Sequence, residues 1–209
     1  MTPELILAFT GMHIAMSLSP GPAVLLVSTQ GMARGFRAGV ATAAGVLAGN
    51  TIYFALSVFG LGAVLVSSAL LFTVIKWAGA AYLVWLGVST LRNARKVAAR
   101  PQPATVAELA GPAFTQGLVK QLGNPKSVLF FGALLPQFII PGQTGGSDYL
   151  LMLAIMHGTE LPILAGYAAL GATGGAFVRG PVGLVWRERV CGVCQIAVGS
   201  LLAGLRRTA

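Results

Sequence analysis

Charge is what this sequence has least of. Only 9% of its 209 residues are Asp, Glu, Lys or Arg, against about 25% in soluble globular proteins. Fourteen basic and five acidic side chains cannot coat a soluble domain of this length. That shortage excludes an ordinary cytosolic enzyme and a disordered chain. The net charge of +9 does not point to nucleic acid either, because the Lys and Arg residues are spread between long apolar runs and form no basic face. Cysteine is equally scarce. Cys191 and Cys194 are the only two, too few for a disulfide framework.

What fills the chain is apolar: 56% hydrophobic residues and a mean hydropathy of +0.80. A bilayer core about 30 Å thick takes roughly 20 such residues per helix. About six stretches qualify, near 4–30, 39–65, 69–91, 113–140, 148–172 and 190–205. The first has Glu4 in place of a basic leader and no evident cleavage site, so it reads as a retained span. The fold class expected is an all-α integral membrane protein. Arg34, Arg37, Arg92, Arg95, Lys96, Arg100, Arg179, Arg187 and Arg189 fall in the first, third and fifth connections, which places those connections in the cytoplasm and both termini outside. Arg206 and Arg207 at the C-terminus run against that count, so five spans stay open beside six.

The connection 92–112 holds Arg100-Pro101-Gln102-Pro103 and reads as a cytoplasmic linker. It separates residues 1–91 from 113–209, three spans each. An odd number of spans per half sets the halves in opposite orientation, which is the arithmetic of an inverted repeat.

The leading helix of each half is interrupted. In the first, Ser19-Pro20-Gly21-Pro22 lies inside the apolar stretch; in the second, Asn124-Pro125-Lys126 does. Each reads as a helix start, with Ser19 or Asn124 as the capping side chain and proline next. A proline kink serving only packing explains one break better than two in corresponding places. Paired interruptions point to a transporter's midplane site, where half-helix N-termini suit an anionic group such as an α-carboxylate. Lys126, a cation in a first helical turn, opposes the dipole unless an anion joins it there; snorkelling to the cytoplasmic surface is the plainer alternative.

Glu160 is the one carboxylate well inside a span, and an intramembrane acid is a functional candidate by default because its charged form is costly. His157 lies three residues earlier, on the same helical face, and makes a plausible proton-responsive partner. His13 reads as a packing hydrogen bond. Asn50, after Gly45 and Gly49, suits either substrate binding or a bridge between helices, and Gln137 after Pro136 has the same two readings. Lys76-Trp77 with Tyr82 and Trp85 looks like interfacial anchoring. Cys191-Gly192-Val193-Cys194 is a C-x-x-C motif without βαβ context.

The segments LSPGP at 18–22, GFRAGVATAAG at 35–45, KWAGAAYLVWLG at 76–87 and NPKSVLFFGALLPQF at 124–138 resemble the LysE/RhtB family of bacterial amino-acid exporters, nearest its homoserine, homoserine lactone and threonine branch. GYAALG at 166–171 adds a weaker match. The resemblance implies an inner-membrane exporter of small amino acids, coupled to the proton gradient, and a homodimer; no cofactor or metal is expected. Ser19 to Pro22, Asn124 to Lys126 and Pro136-Gln137 fall on the family's signature positions. Glu160 falls where the homoserine branch carries an acid, which implies a coupling role. Many relatives have Asp or Asn where Ala23 stands and Asp where Asn50 stands, so a coupling role passes mainly to Glu160. Two other classes compete. A thiol–disulfide electron carrier would need Cys191 and Cys194. A divalent-metal exporter would have only Glu160, His13 and His157 as ligands.

Overall fold

In a computed structural model, the residues described are 1–18, 21–61, 69–99, 109, 111–140, 143–174 and 181–204. They are helical nearly throughout and contain no strand. In chain order the helices are α1 (Pro3–Leu18), α2 (Pro22–Arg34), α3 (Phe36–Ala55), α4 (Ala69–Ala99), α5 (Ala113–Leu122), α6 (Pro125–Leu129), α7 (Gly146–Ala172) and α8 (Pro181–Gly204). A wide π turn, Leu56–Leu61, extends α3. After α6 the chain widens into a π turn, Phe130–Leu134, then tightens into a 3₁₀ turn, Leu135–Phe138, around Pro136.

By length and hydropathy, Phe36–Gly60 and Gly146–Ala172 are each long and apolar enough to cross a bilayer. The pair α1 and α2, bent by 54°, qualifies as a third, broken span. Burial has the polarity of a membrane protein. Leu7, Phe59, Leu70, Leu150 and Val182 are all at least 70% exposed, as suits a surface that faces lipid. Gln30, Asn50, Gln121, Asn124 and Glu160 are buried instead.

The direction of each helix follows from its contacts. Met1 reaches Asp148, His13 reaches Thr159, and Leu18 receives the Tyr167 hydroxyl, so α1 runs parallel to α7. Thr42 lies against Gly117, Gly45 against Phe114, and Gly49 against Gln121, so α3 runs parallel to α5. Asn50 meets Glu160, Thr51 meets His157, and Gly39 meets Ala168, so α3 and α7 are antiparallel. Gly87 against Gly192 and Ala80 against Gly199 make α4 and α8 antiparallel as well.

Small residues set these crossings, as expected where helix association depends on close packing and not on a hydrophobic drive. A Cβ on Gly31 would lie 2.3 Å from the Ala168 carbonyl oxygen, and one on Gly171 2.1 Å from that of Ser28. The Gly45 and Gly49 face is therefore a packing face, as its spacing suggests. Two helix limits differ from the sequence reading. Helix α4 runs on through Ala99, two turns into the stretch read as linker. Helix α8 starts at Pro181 and not near 190, with proline in its preferred first position.

Candidate functional site

The second break forms as its sequence suggests. Asn124 is extended, Pro125 follows at the first helical position, and the Asn124 side chain accepts a hydrogen bond from the Lys126 backbone N–H at 3.1 Å. The first break differs. Helix α1 ends at Leu18 and α2 begins at Pro22, so the N-cap position belongs to Gly21 and not to Ser19. The reason is steric: a residue before proline is driven out of the helical region, and Gly21 precedes Pro22 with φ −117° and ψ −172°. Ser19 and Pro20 themselves lie outside the described residues.

The two breaks meet. The Lys126 ammonium donates to the Met16 carbonyl in the last turn of α1, and its side chain passes beside Gly21, where a Cβ would lie in ordinary contact, 3.7 Å from Lys126 Cδ. This accounts for a cation in a first helical turn. The cost of opposing the α6 dipole is offset at the C-terminal end of α1, where orphan carbonyls favour positive charge.

Around this junction is a cavity of about 50 Å³, room for a few water molecules. Met16, Ser17 and Gly21 line it from the first break, and Asn124, Lys126 and Ser127 from the second. Asn50, Gln121, His13 and Glu160 complete its polar wall, while Val24, Phe130, Phe131 and Leu164 supply the apolar one. The amides at the two breaks are not equivalent. At α6 the Asn124 side chain takes the Lys126 N–H, and the Asn124 carbonyl takes those of Ser127 and Val128 at 3.0 and 3.2 Å. The start of α6 is therefore satisfied by its own cap, and those amides are not left open for the anionic group that the sequence pattern suggests. At α2 the N-cap is Gly21, which has no side chain to offer the first turn, and Ala23 and Val24 border the cavity.

Glu160 is 7% exposed and accepts a hydrogen bond from Asn50 Nδ2 at 2.6 Å. Its imidazole neighbour is His13, whose Nε2 lies 3.8 Å away and whose Nδ1 is 2.9 Å from the Thr159 hydroxyl. The expected partner, His157, turns to Thr51 on α3 at 3.1 Å and does not line the cavity. The pairing by spacing is thus replaced by one across helices, because α1 packs alongside α7 and presents His13 to Glu160. Gln137, buried in part within the 3₁₀ turn, also lies off the cavity lining, as do Pro22 and Pro125.

Gln121, which no sequence pattern singled out, joins the parts. Its Nε2 donates to Asn50 Oδ1 and, at 2.7 Å, to the Ser127 hydroxyl. Its Oε1 accepts from Asn124 Nδ2 at 3.1 Å. Among the described residues no group of three or more His, Cys, Asp or Glu could hold a metal ion. Cys194 is a free thiol, partly buried on α8; the side chain of Cys191 lies outside the described set.

Comparison with known proteins agrees with this architecture. Residues 14–205 match the family described as LysE type translocator. The chain is 34% identical over 206 residues to a homoserine/homoserine lactone efflux protein of Salmonella typhimurium, covering 99% of each. It is 32% identical over 197 residues to an uncharacterized membrane protein of Vibrio cholerae, covering 94% of this chain and 95% of that one. It is 33% identical over 137 residues to a threonine efflux protein of Escherichia coli, covering 65% and 66%. No solved structure matches the chain significantly. The chain is a multi-pass bacterial membrane protein of the LysE translocator family.

Proposed function

We propose that the protein exports small neutral amino acids, or close derivatives such as their lactones, from the cytoplasm by alternating access with proton antiport. The observation that carries this reading is the convergence of both helix breaks on one polar cavity that also holds Glu160. The names of the relatives point to homoserine and threonine as the substrate class. A zwitterion fits the charge layout. Its carboxylate is drawn to Lys126 and the first turn of α2, and its ammonium to an ionised Glu160, which borders the same cavity. Protonating Glu160 removes the ammonium's partner, so proton and substrate compete, which is the logic of antiport. The helix directions support reading residues 1–91 and 113–209 as inverted halves, since α1 follows α7, α5 follows α3, and α3 opposes α7.

The test is efflux of radiolabelled homoserine and threonine from proteoliposomes under an imposed pH gradient. Wild type is expected to accelerate export with acid outside, and Glu160→Gln to lose that acceleration at least tenfold, the scale of one lost charge-assisted contact. Equal gradient-driven export by both proteins would remove Glu160 from the coupling. No efflux of either amino acid would remove the substrate class.

A further inference from the structure

Four side chains form a directed line of hydrogen bonds from the second helix break to Glu160. It starts at a donor that cannot reverse, the Lys126 backbone N–H, which fixes the facing Asn124 oxygen as an acceptor. The other end of the Asn124 amide must then donate, and it does so to Gln121 Oε1. Gln121 Nε2 donates in turn to Asn50 Oδ1, and Asn50 Nδ2 to Glu160 Oε2. Every link has one polarity, because a carboxamide carries its donor and acceptor on opposite arms. All four side chains are buried, so water does not stand in for a lost partner and an unmade bond is costly.

An ionised Glu160 can only accept, which agrees with the line as it stands. A protonated Glu160 carries one O–H donor beside a remaining acceptor oxygen; with the proton on Oε2, the oxygen that faces Asn50, the acceptor within hydrogen-bond distance is the Asn50 amide. Donating to it requires Asn50 to turn, which presents Asn50 Nδ2 to Gln121. Gln121 turns in response and presents its own Nε2 to Asn124. Asn124 then turns its oxygen away from Lys126, and α6 loses its cap. We propose that Gln121 is a positioning residue, the junction of an amide relay that transmits the protonation of Glu160 to the start of α6. This rests on Glu160 being the proton site of the exporter proposed above. Amides pass no net proton here; they pass orientation. Ser127, which also bonds Gln121, is a side branch, since a hydroxyl accepts or donates equally well.

The groups around Glu160 that could produce a competing pH response are few. His13 faces it from α1 and Lys126 lines the same cavity from α6, whereas α2 and α3 offer Ala23, Val24 and Asn50. His157, on the same helix, is engaged with Thr51. The experiment is hydrogen exchange of the reconstituted full chain over peptides spanning 125–131, corrected for the intrinsic pH dependence of exchange, between pH 8 and pH 5.5. In wild type, protection at the start of α6 should fall by about fivefold at the lower pH, the scale of a lost N-cap. Gln121→Met, of similar length but without the amide, should show equal corrected protection at both pH values. His13→Gln should keep the wild-type response. If Gln121→Met misfolds, Asn124→Ser serves instead: its hydroxyl caps Lys126 in either state, so protection should be high and independent of pH. A wild-type response retained in Gln121→Met or Asn124→Ser, lost in His13→Gln, or absent from wild type overturns the relay. Exchange needs no substrate, so failure of the relay and failure of the exporter reading are separable: export without the pH response sinks only the relay.

Discussion

Replacing Gly117 by alanine tests whether close contact between α3 and α5 builds the site. A Cβ on Gly117 would lie 2.0 Å from the Thr42 carbonyl oxygen, and the reciprocal Gly45 has the same 2.0 Å clearance from that of Phe114. The obstruction is backbone on a neighbouring helix, so no side-chain rotation relieves it. The helices must part by about 1 Å for a tolerable contact. Over-packing of this kind costs about 1–3 kcal/mol, and for a chain of this size each kcal/mol moves the unfolding midpoint by about 2–4 °C. Thermal unfolding of the detergent-purified chain, followed by size exclusion, should therefore show Gly117→Ala about 5 °C below wild type. The separation also draws Gln121 from Asn50, one helical turn away on the same interface, so homoserine efflux should fall with it. Gly166→Ala is the control, because nothing lies within 4 Å of its Cβ position; alanine there should be neutral or stabilising. A Gly117→Ala protein as stable and active as wild type would refute a site held together by glycine contacts.

Three further outcomes are expected. Lys126→Met removes the ammonium from the Met16 carbonyl and should lower thermal stability by about 1–3 kcal/mol, the cost of a buried acceptor losing its donor, and a normal midpoint in the same melt would contradict the assigned role. His13→Ala should impair gradient-driven efflux far more than His157→Ala, since only His13 borders Glu160; equal effects in the proteoliposome assay would count against the geometry. A Cys191→Ser/Cys194→Ser double variant should export at wild-type rate, and loss of efflux in it would revive the thiol–disulfide reading.

Legibility in the sequence tracked how local each cause is. Asn124-Pro125 announces its helix start in two adjacent residues, and the structure has the same cap. Ser19 and Gly21 each precede a proline within four residues, and the structure puts the N-cap at Gly21, before the second proline. Glu160 stood out by rarity alone. Its partners did not, since Asn50 and His13 come from 110 residues and more away in the chain, and no periodicity encodes such pairings. Spacing favours His157 for Glu160, yet the two side chains meet different residues of α3, Thr51 and Asn50, and the imidazole beside Glu160 comes from α1. Gln121 carried a faint local signal, being three residues before the Asn124 cap, but within AFTQGLVKQL it reads as one more polar residue of an amphipathic turn.

A break in a membrane helix strands carbonyls on one side and amides on the other, each costing several kcal/mol if lipid is the only surrounding. The two breaks here resolve that differently. At the second, Asn124 supplies both a side-chain and a main-chain acceptor, so the start of α6 is satisfied locally. At the first, the stranded carbonyls of α1 are answered from elsewhere: Met16 by Lys126 of α6 and Leu18 by the Tyr167 hydroxyl of α7. The first break thus draws its satisfaction in part from the second half of the chain. Any movement that carries α6 and α7 away from α1 must exchange those donors for water or substrate, which ties opening of the cavity to its contents. A proline kink kept for packing alone would have no need of donors from two other helices.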